Sequence, residues 1–327
     1  MQNKFSFEGA LSAPFKAAHF NSFPWLFAFT YALLVTLLLG LFLFMAQGAI
    51  GEFIAAIESL ENANIDEDDP GAIMALMFGT MAPLLPFALI GAIASWVVYA
   101  VFLAASMRRY VRDERFRLGF GGDEVRMMVV SLLWWLLSLV IFFIPISLMV
   151  STFRTVVALS PGGLSESAIE AQLLGGMLGG AGMFLIFLPV YIFVATRLAP
   201  CFGLTIKDRR IRFFDAWNVS RGRFWPILGA FIILYVVVSI ISMVIDQILQ
   251  FTLVTSLTPQ FMNMSDPDDI LSILSSGAFL SMMGVYVFIA SFVAAIQQHV
   301  IHAPAAFAAR HDPRGGVDDA AQIDIFN

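Results

Sequence analysis

Six long stretches without a single Asp, Glu, Lys or Arg decide what this chain can become. They are Trp25–Ala46, Ala72–Met107, Met127–Thr152, Ala171–Thr196, Phe224–Ile245 and Ile270–Ala309. About 20 mostly apolar residues suffice for a helix to cross a bilayer, and each stretch is at least that long. A soluble domain carries roughly 25% charged residues. Here only 13% of 327 residues are charged, and 33 are Phe. That much apolar surface exceeds one globular core, so lipid must cover the rest. Barrel strands would show shorter segments of alternating polarity. The pattern therefore predicts an all-α, polytopic integral membrane protein with six transmembrane helices. The first stretch is longer than the apolar core of a cleaved signal peptide and reads as the first span. The two longest stretches must tilt or project from the bilayer.

The distribution of basic residues predicts orientation. With six spans and the N-terminus inside, every Lys and Arg except Arg154 falls on the same side, 17 of the 18 present. Cytoplasmic loops carry the excess of Lys and Arg, so both termini are expected in the cytoplasm. The net charge is -6, which argues against nucleic acid as a partner. The single cysteine, Cys201, excludes an intramolecular disulfide and reads as a small apolar residue.

The spans pair into three successive hairpins, each joined outside by an acidic loop. Each hairpin is preceded by a segment mixing aromatic, aliphatic and charged residues, at about 5–24, 108–126 and 207–224. This suggests a degenerate threefold repeat of an interfacial segment plus a hairpin. Residues 1–309 then form one membrane domain, and 310–327 a short polar tail. Apolar residues recur at helical spacing beyond the first span, through Ile50, Phe53, Ile54, Ile57 and Leu60, and beyond the fifth through Leu253. Both helices are expected to continue outside the membrane.

The acidic outer loops invite a calcium site. A loop starting at Asp66 has Pro70 at the fifth position and Met77 at the twelfth, where the bidentate glutamate belongs. The acids are better explained as helix caps, as in Asp69-Pro70 and Asp266-Pro267. His299 and His302 share a helical face, with His19 as a distant third histidine. Without a paired acid this is polar packing rather than zinc. Asp246 lies 21 residues after Trp225, about 32 Å along a helix, and so belongs at the outer interface. No catalytic motif is present, and neither metal nor cofactor is expected. Gly175, Gly176, Gly179 and Gly180 open the fourth span with glycines four apart, a pattern that lets a second helix approach closely.

The most unusual passage is "RRIRFFDAWNVSRGRFWPILG", Arg209–Gly229. Arg209, Arg210, Arg212, Arg221 and Arg223 alternate with Phe213, Phe214, Trp217, Phe224 and Trp225. Arg209–Phe224 is expected to form an interfacial helix under the inner leaflet, with span 5 starting at Phe224-Trp225-Pro226. Its aromatics would insert at headgroup depth and its arginines would meet anionic lipid phosphates. Within the passage, "DAWNVSRGRFWPIL" resembles a motif of bacterial six-span proteins similar to the membrane domain attached to some glycerophosphoryl diester phosphodiesterases. Trp217, Ser220, Arg221, Gly222, Phe224 and Trp225 match in order, and Ala216 stands where the group has Ser. The chain has no room for the soluble catalytic barrel, so the resemblance implies a bacterial inner-membrane protein without that activity. The expected function is a non-enzymatic, lipid-interacting structural or accessory role, alone or as a homo-oligomer or with a membrane-protein partner. A transporter or channel for a lipid-like solute is the alternative, and a membrane enzyme stands third.

Overall fold

A computed structural model describes residues 5–62, 79–159, 166–262, 272–273 and 276–312. The acidic loops with their proposed caps at Asp69 and Asp266, and most of the polar tail, lie outside these residues. Every regular element described is helical: α1 (Phe7–Lys16), α2 (Phe23–Asn62), α3 (Leu85–Arg112, entered through a 3-10 turn at Ala82–Leu84), α4 (Gly122–Leu159), α5 (Glu166–Leu198), α6 (Cys201–Asp208), α7 (Ala216–Val219), α8 (Phe224–Met262), α9 (Gly277–Ile301) and α10 (Ala303–Arg310). Six of these, α2, α3, α4, α5, α8 and α9, are long and apolar enough to cross a membrane. The chain is an all-α, multi-pass membrane protein.

The long helices are apolar all round, as expected of segments whose outer faces meet lipid. Trp135, Leu185, Tyr235 and Phe251 all stand more than half exposed. The predicted extensions are real: α2 has 40 residues and α8 has 39, close to 60 Å each. That is about twice the hydrocarbon thickness. Within the bilayer α9 packs on both α2 and α8.

Spatial neighbours are only partly the predicted hairpin partners. The closest association in the bundle is between α2 and α9, the first and last spans, followed by α4 with α5, α9 with α8, and α3 with α4. The six spans thus run round a ring in the order α5, α4, α3, α2, α9, α8. The joint that would close the ring, between α5 and α8, is slight.

The buried core lies at the end of the bundle that gathers the arginines, here called the basic end. Three similar sequences meet there: "LAASMRRYVRD" (Leu103–Asp113) at the end of α3, "LAPCFGLTIKD" (Leu198–Asp208) running from α5 into α6, and "HAPAAFAARHD" (His302–Asp312) running from α9 into α10. Each has Ala in second place and closes on a basic residue followed by Asp. Pro200 and Pro304 break the second and third from their spans, since proline cannot continue a helical ladder. The three segments pack on one another, and their small residues make this possible. At the meeting point is Gly203. A Cβ there would stand 2.7 Å from the Ala309 Cβ, 3.2 Å from the Ala306 Cα and 3.5 Å from a Val111 methyl. A threefold pattern is therefore clearest at these helix ends. It is weaker in the segments that precede the hairpins, because residues 113–120 carry no helix whereas the first and third segments do.

Candidate functional site

Where the ring is loosest, a cavity of about 440 Å³ opens among α3, α4, α5, α8 and the α9–α10 junction. Phe231 of α8 lines it. That residue is seven positions from the start of α8, about 10 Å along the helix, so the cavity lies in the basic-end half of the bilayer. Its floor is aromatic. Trp134 stacks on Phe202 at 6.0 Å and meets Phe213 edge-on at 6.0 Å. Its indole N–H donates to the Cys201 sulfur at 3.2 Å, so Cys201 fills a core position, as its sequence context suggested.

The lining contains no Asp, Glu, Lys or Arg. Its serine and threonine hydroxyls donate to the backbone: Ser131 to Met128, Ser138 to Trp134 and Thr196 to Ile192, at 2.8–3.0 Å. One polar pair is less committed. His302 Nδ1 donates to the Gln298 carbonyl at 2.8 Å, which leaves Nε2 as an acceptor. The nearest donor to it is the Tyr99 hydroxyl at 3.5 Å, the outer limit of a hydrogen bond. The site is an apolar, aromatic cavity with the His302 acceptor and two tyrosine hydroxyls, of Tyr99 and Tyr191, in its wall. Such a cavity suits a mostly hydrocarbon molecule bearing a neutral hydrogen-bonding head.

The passage at residues 209–225 is not a single helix. Arg209 is left-handed (φ 53°) and ends α6, residues 211–212 carry no helix, and only the one-turn α7 precedes the turn at Gly222 (φ 76°). The reason lies in its side chains. Phe213 turns inward and is 4% exposed. Arg212 pairs with Asp215 at 2.7 Å and also with Asp208, contacts that push its pKa upward, the Asp215 bond most. Arg223 lies over the Phe5 ring at 5.1 Å and donates to the His311 carbonyl at 2.8 Å; burial lowers its pKa. Arg209, Arg210 and Arg221 remain exposed, as do Phe214, Trp217 and Trp225.

The motif residues clasp an arginine that the sequence did not single out. Arg197, at the end of α5, lies 5.5–5.6 Å from the ring centres of Phe193, Trp217 and Phe224. Ser220 donates to the Arg197 carbonyl at 2.9 Å and accepts back from its guanidinium through its own carbonyl at 3.1 Å. Trp217, Ser220 and Phe224 thus fasten the start of α8 to the end of α5.

The glycine face divides in two. A Cβ at Gly180 would stand 2.6 Å from Met149, and one at Gly176 would collide with Thr152, both on α4. Gly175 and Gly179 face open space, so only half the set seats a helix. The three histidines do not converge. His19 Nε2 bonds the Asp113 carbonyl at 3.1 Å, His302 lines the cavity, and His299 sits in the core with Ser106, Arg109 and Tyr110. No group of three His, Cys, Asp or Glu side chains able to hold a metal occurs among the described residues.

No family model matches the chain, and no curated relative or solved structure matches it. Fold and cavity define its class, a six-span, all-α membrane protein.

Proposed function

We propose that this is a non-enzymatic protein of the bacterial inner membrane, with both termini in the cytoplasm, that holds a lipid-like molecule in the cavity beside α5 and α8. The sequence resemblance to six-span bacterial proteins agrees with that location. The observation that carries the reading is the cavity itself: aromatic, free of charged side chains, set within one leaflet and placed at the slight α5–α8 joint. A ligand arriving sideways from the bilayer would meet that joint first. The His302 acceptor and the Tyr99 hydroxyl favour a head bearing an O–H group, such as a diacylglycerol or a long-chain alcohol. A transport path would need polar groups continued beyond the cavity; the serine and threonine hydroxyls here are instead turned onto the backbone, which supports holding over passage.

The test uses a diacylglycerol with a photoreactive acyl chain, mixed with the purified chain in lipid nanodiscs. Cross-links are expected at Trp134–Ser138 and Tyr191–Ala195. Ala195→Trp, which fills the cavity, should remove them while leaving thermal stability near that of the wild type. His302→Leu should weaken capture of the diacylglycerol but not of its methyl ether, which has no proton to donate. Cross-links spread evenly over all outward helix faces, unchanged by Ala195→Trp, would leave the cavity without a role.

A further inference from the structure

A second cavity, of about 560 Å³, lies at the basic end between the close of α3 and the opening of α4. Five arginines line it, Arg108, Arg112, Arg117, Arg126 and Arg209, against three carboxylates. The carboxylates are committed to the wall. Asp123 stands 2.7 Å from Arg112, 3.0 Å from Arg126 and 3.9 Å from Arg108. Glu124, 3% exposed, pairs with Arg108 at 2.5 Å and accepts the Gly121 N–H at 2.9 Å. Glu114 is looser, 3.8 Å from Arg108 and 3.6 Å from Arg112. Arg117 and Arg209 have no carboxylate within 4 Å among the described residues, and both are exposed. The cavity therefore keeps a surplus of two positive charges that no side chain neutralises.

The shape of this surplus is informative. Arg126 lies across Gly122, where a Cβ would come within 3.2 Å of its guanidinium. Gly119 and Gly121 also line the cavity, so one wall is backbone rather than side chain. Phe120, between them, points outward at 68% exposure. α3 and α4 cross the membrane, so the turn joining them lies at its surface, and an exposed Phe there favours insertion at the boundary between headgroups and acyl chains. Planar guanidinium forks match phosphate oxygens in pairs.

From these features we infer that the cavity is a binding site for a phosphate group carried on a small molecule, the favoured source being an anionic lipid headgroup presented beside Phe120. Arg117 and Arg209 are the recognising residues, and Arg108, Arg112 and Arg126 are held by the acids as its fixed wall. This site is separate from the lipid cavity, which contains no cation, and does not depend on it.

The experiment uses the full chain in detergent with three probes: dioctanoyl phosphatidic acid, dioctanoylglycerol and inorganic phosphate. Binding is read by native mass spectrometry and by the shift in melting temperature. Arg117→Ala with Arg209→Ala should weaken phosphatidic acid binding by about twentyfold, as expected for loss of two basic contacts. Neither residue is in an ion pair, so the fold should survive; unchanged helical circular dichroism checks this. Lys16→Ala with Arg115→Ala removes the same charge from exposed positions outside the cavity and should leave affinity within about twofold. Dioctanoylglycerol reports on the other cavity, and its binding should not respond to the Arg117 and Arg209 changes. Stabilisation by phosphatidic acid alone supports the headgroup source. Stabilisation by inorganic phosphate as well, lost in the same double variant, supports the site with free phosphate as its source. Equal affinity in both double variants, or no phosphate-dependent binding by the wild type, overturns the inference.

Discussion

Arg109 is fully buried, with no carboxylate within 4 Å among the described residues. A buried guanidinium is costly unless other groups replace its water. Here the replacement is the C-terminal end of α1. Arg109 Nε donates to the Ala18 carbonyl at 2.9 Å, and its second terminal nitrogen reaches Pro14 and Ala17 carbonyls at 3.4 and 3.5 Å. These carbonyls carry the negative end of the helix dipole. The Phe23 ring, 5.0 Å away, adds a cation–π contact. On the far side the remaining nitrogen meets His299 Nε2, whose Nδ1 is 2.6 Å from the Ser106 hydroxyl. Arg109 is thus the pin between α1 and α9. Arg109→Leu leaves several of these acceptors buried without donors, at about 1–3 kcal/mol apiece. The expected outcome is faster trypsin cleavage after Lys16, as α1 lifts away, with a lowered melting temperature. Arg109→Lys should fall between the two, since one ammonium cannot reach both helices at once. Unchanged protection at Lys16 in Arg109→Leu would show that α1 is held by its other contacts, such as Gly9 beneath Phe307.

At the scale of elements, the glycines of α5 show how a pattern gives a face without giving its phase. The sequence marked Gly175, Gly176, Gly179 and Gly180 alike; only Gly176 and Gly180 touch α4. Gly180→Leu should force α4 and α5 apart against Met149 and lower the melting temperature in detergent. Gly179→Leu, pointing into open space, should leave it nearly unchanged or raise it, because leucine is the better helix former by roughly 1 kcal/mol. Equal losses in the two variants would contradict the observed phase of α5. The same limit explains what else was hidden. The number of spans and their rough course were legible, because charge and hydropathy change near lipid boundaries. Their ends were less so, since the sixth stretch, read through Ala309, breaks at His302 and gives Ala303–Arg310 to α10, and α3 becomes regular only at Leu85. Which spans adjoin was not legible, because a helix that is apolar all round does not announce which side meets protein. The α2–α9 association and the cavity at the open joint follow from that missing information. His302 stood out in the sequence as one of a histidine pair, but nothing there placed it beside Tyr99, 203 residues away. The arginine-aromatic passage was legible as unusual. Its break into turns accompanies the burial of Phe213 and the clasp on Arg197, contacts with the rest of the bundle that the sequence did not show, whereas the Arg212 pairs with Asp208 and Asp215 are local.

For the whole molecule, the uneven distribution of bonding makes orientation the property most open to direct measurement. The compact core at the basic end is where the three Ala-to-Asp segments lock, while the opposite ends of α2, α4 and α8 run well beyond bilayer thickness. Glu52, Ala171 and Met262 lie 29, 27 and 38 residues from the basic-end termini of α2, α5 and α8, about 40 Å or more along each helix, past the far lipid boundary. Arg210 and Arg221 are exposed at the basic end. Cysteine placed singly at each position reports its side through an impermeant thiol reagent applied to intact bacterial cells whose outer membrane has been made permeable. The native Cys201 can stay, since it is fully buried and its sulfur accepts the Trp134 N–H; the unaltered chain should remain unlabelled and serves as the control. Positions 52, 171 and 262 should label from outside, and 210 and 221 only after the inner membrane is opened. Labelling of 210 or 221 in closed cells would overturn the cytoplasmic placement of the basic end. It would also move the arginine cavity to the side where anionic headgroups do not supply the attracting surface potential, so this one measurement bears on the headgroup source as well as on topology.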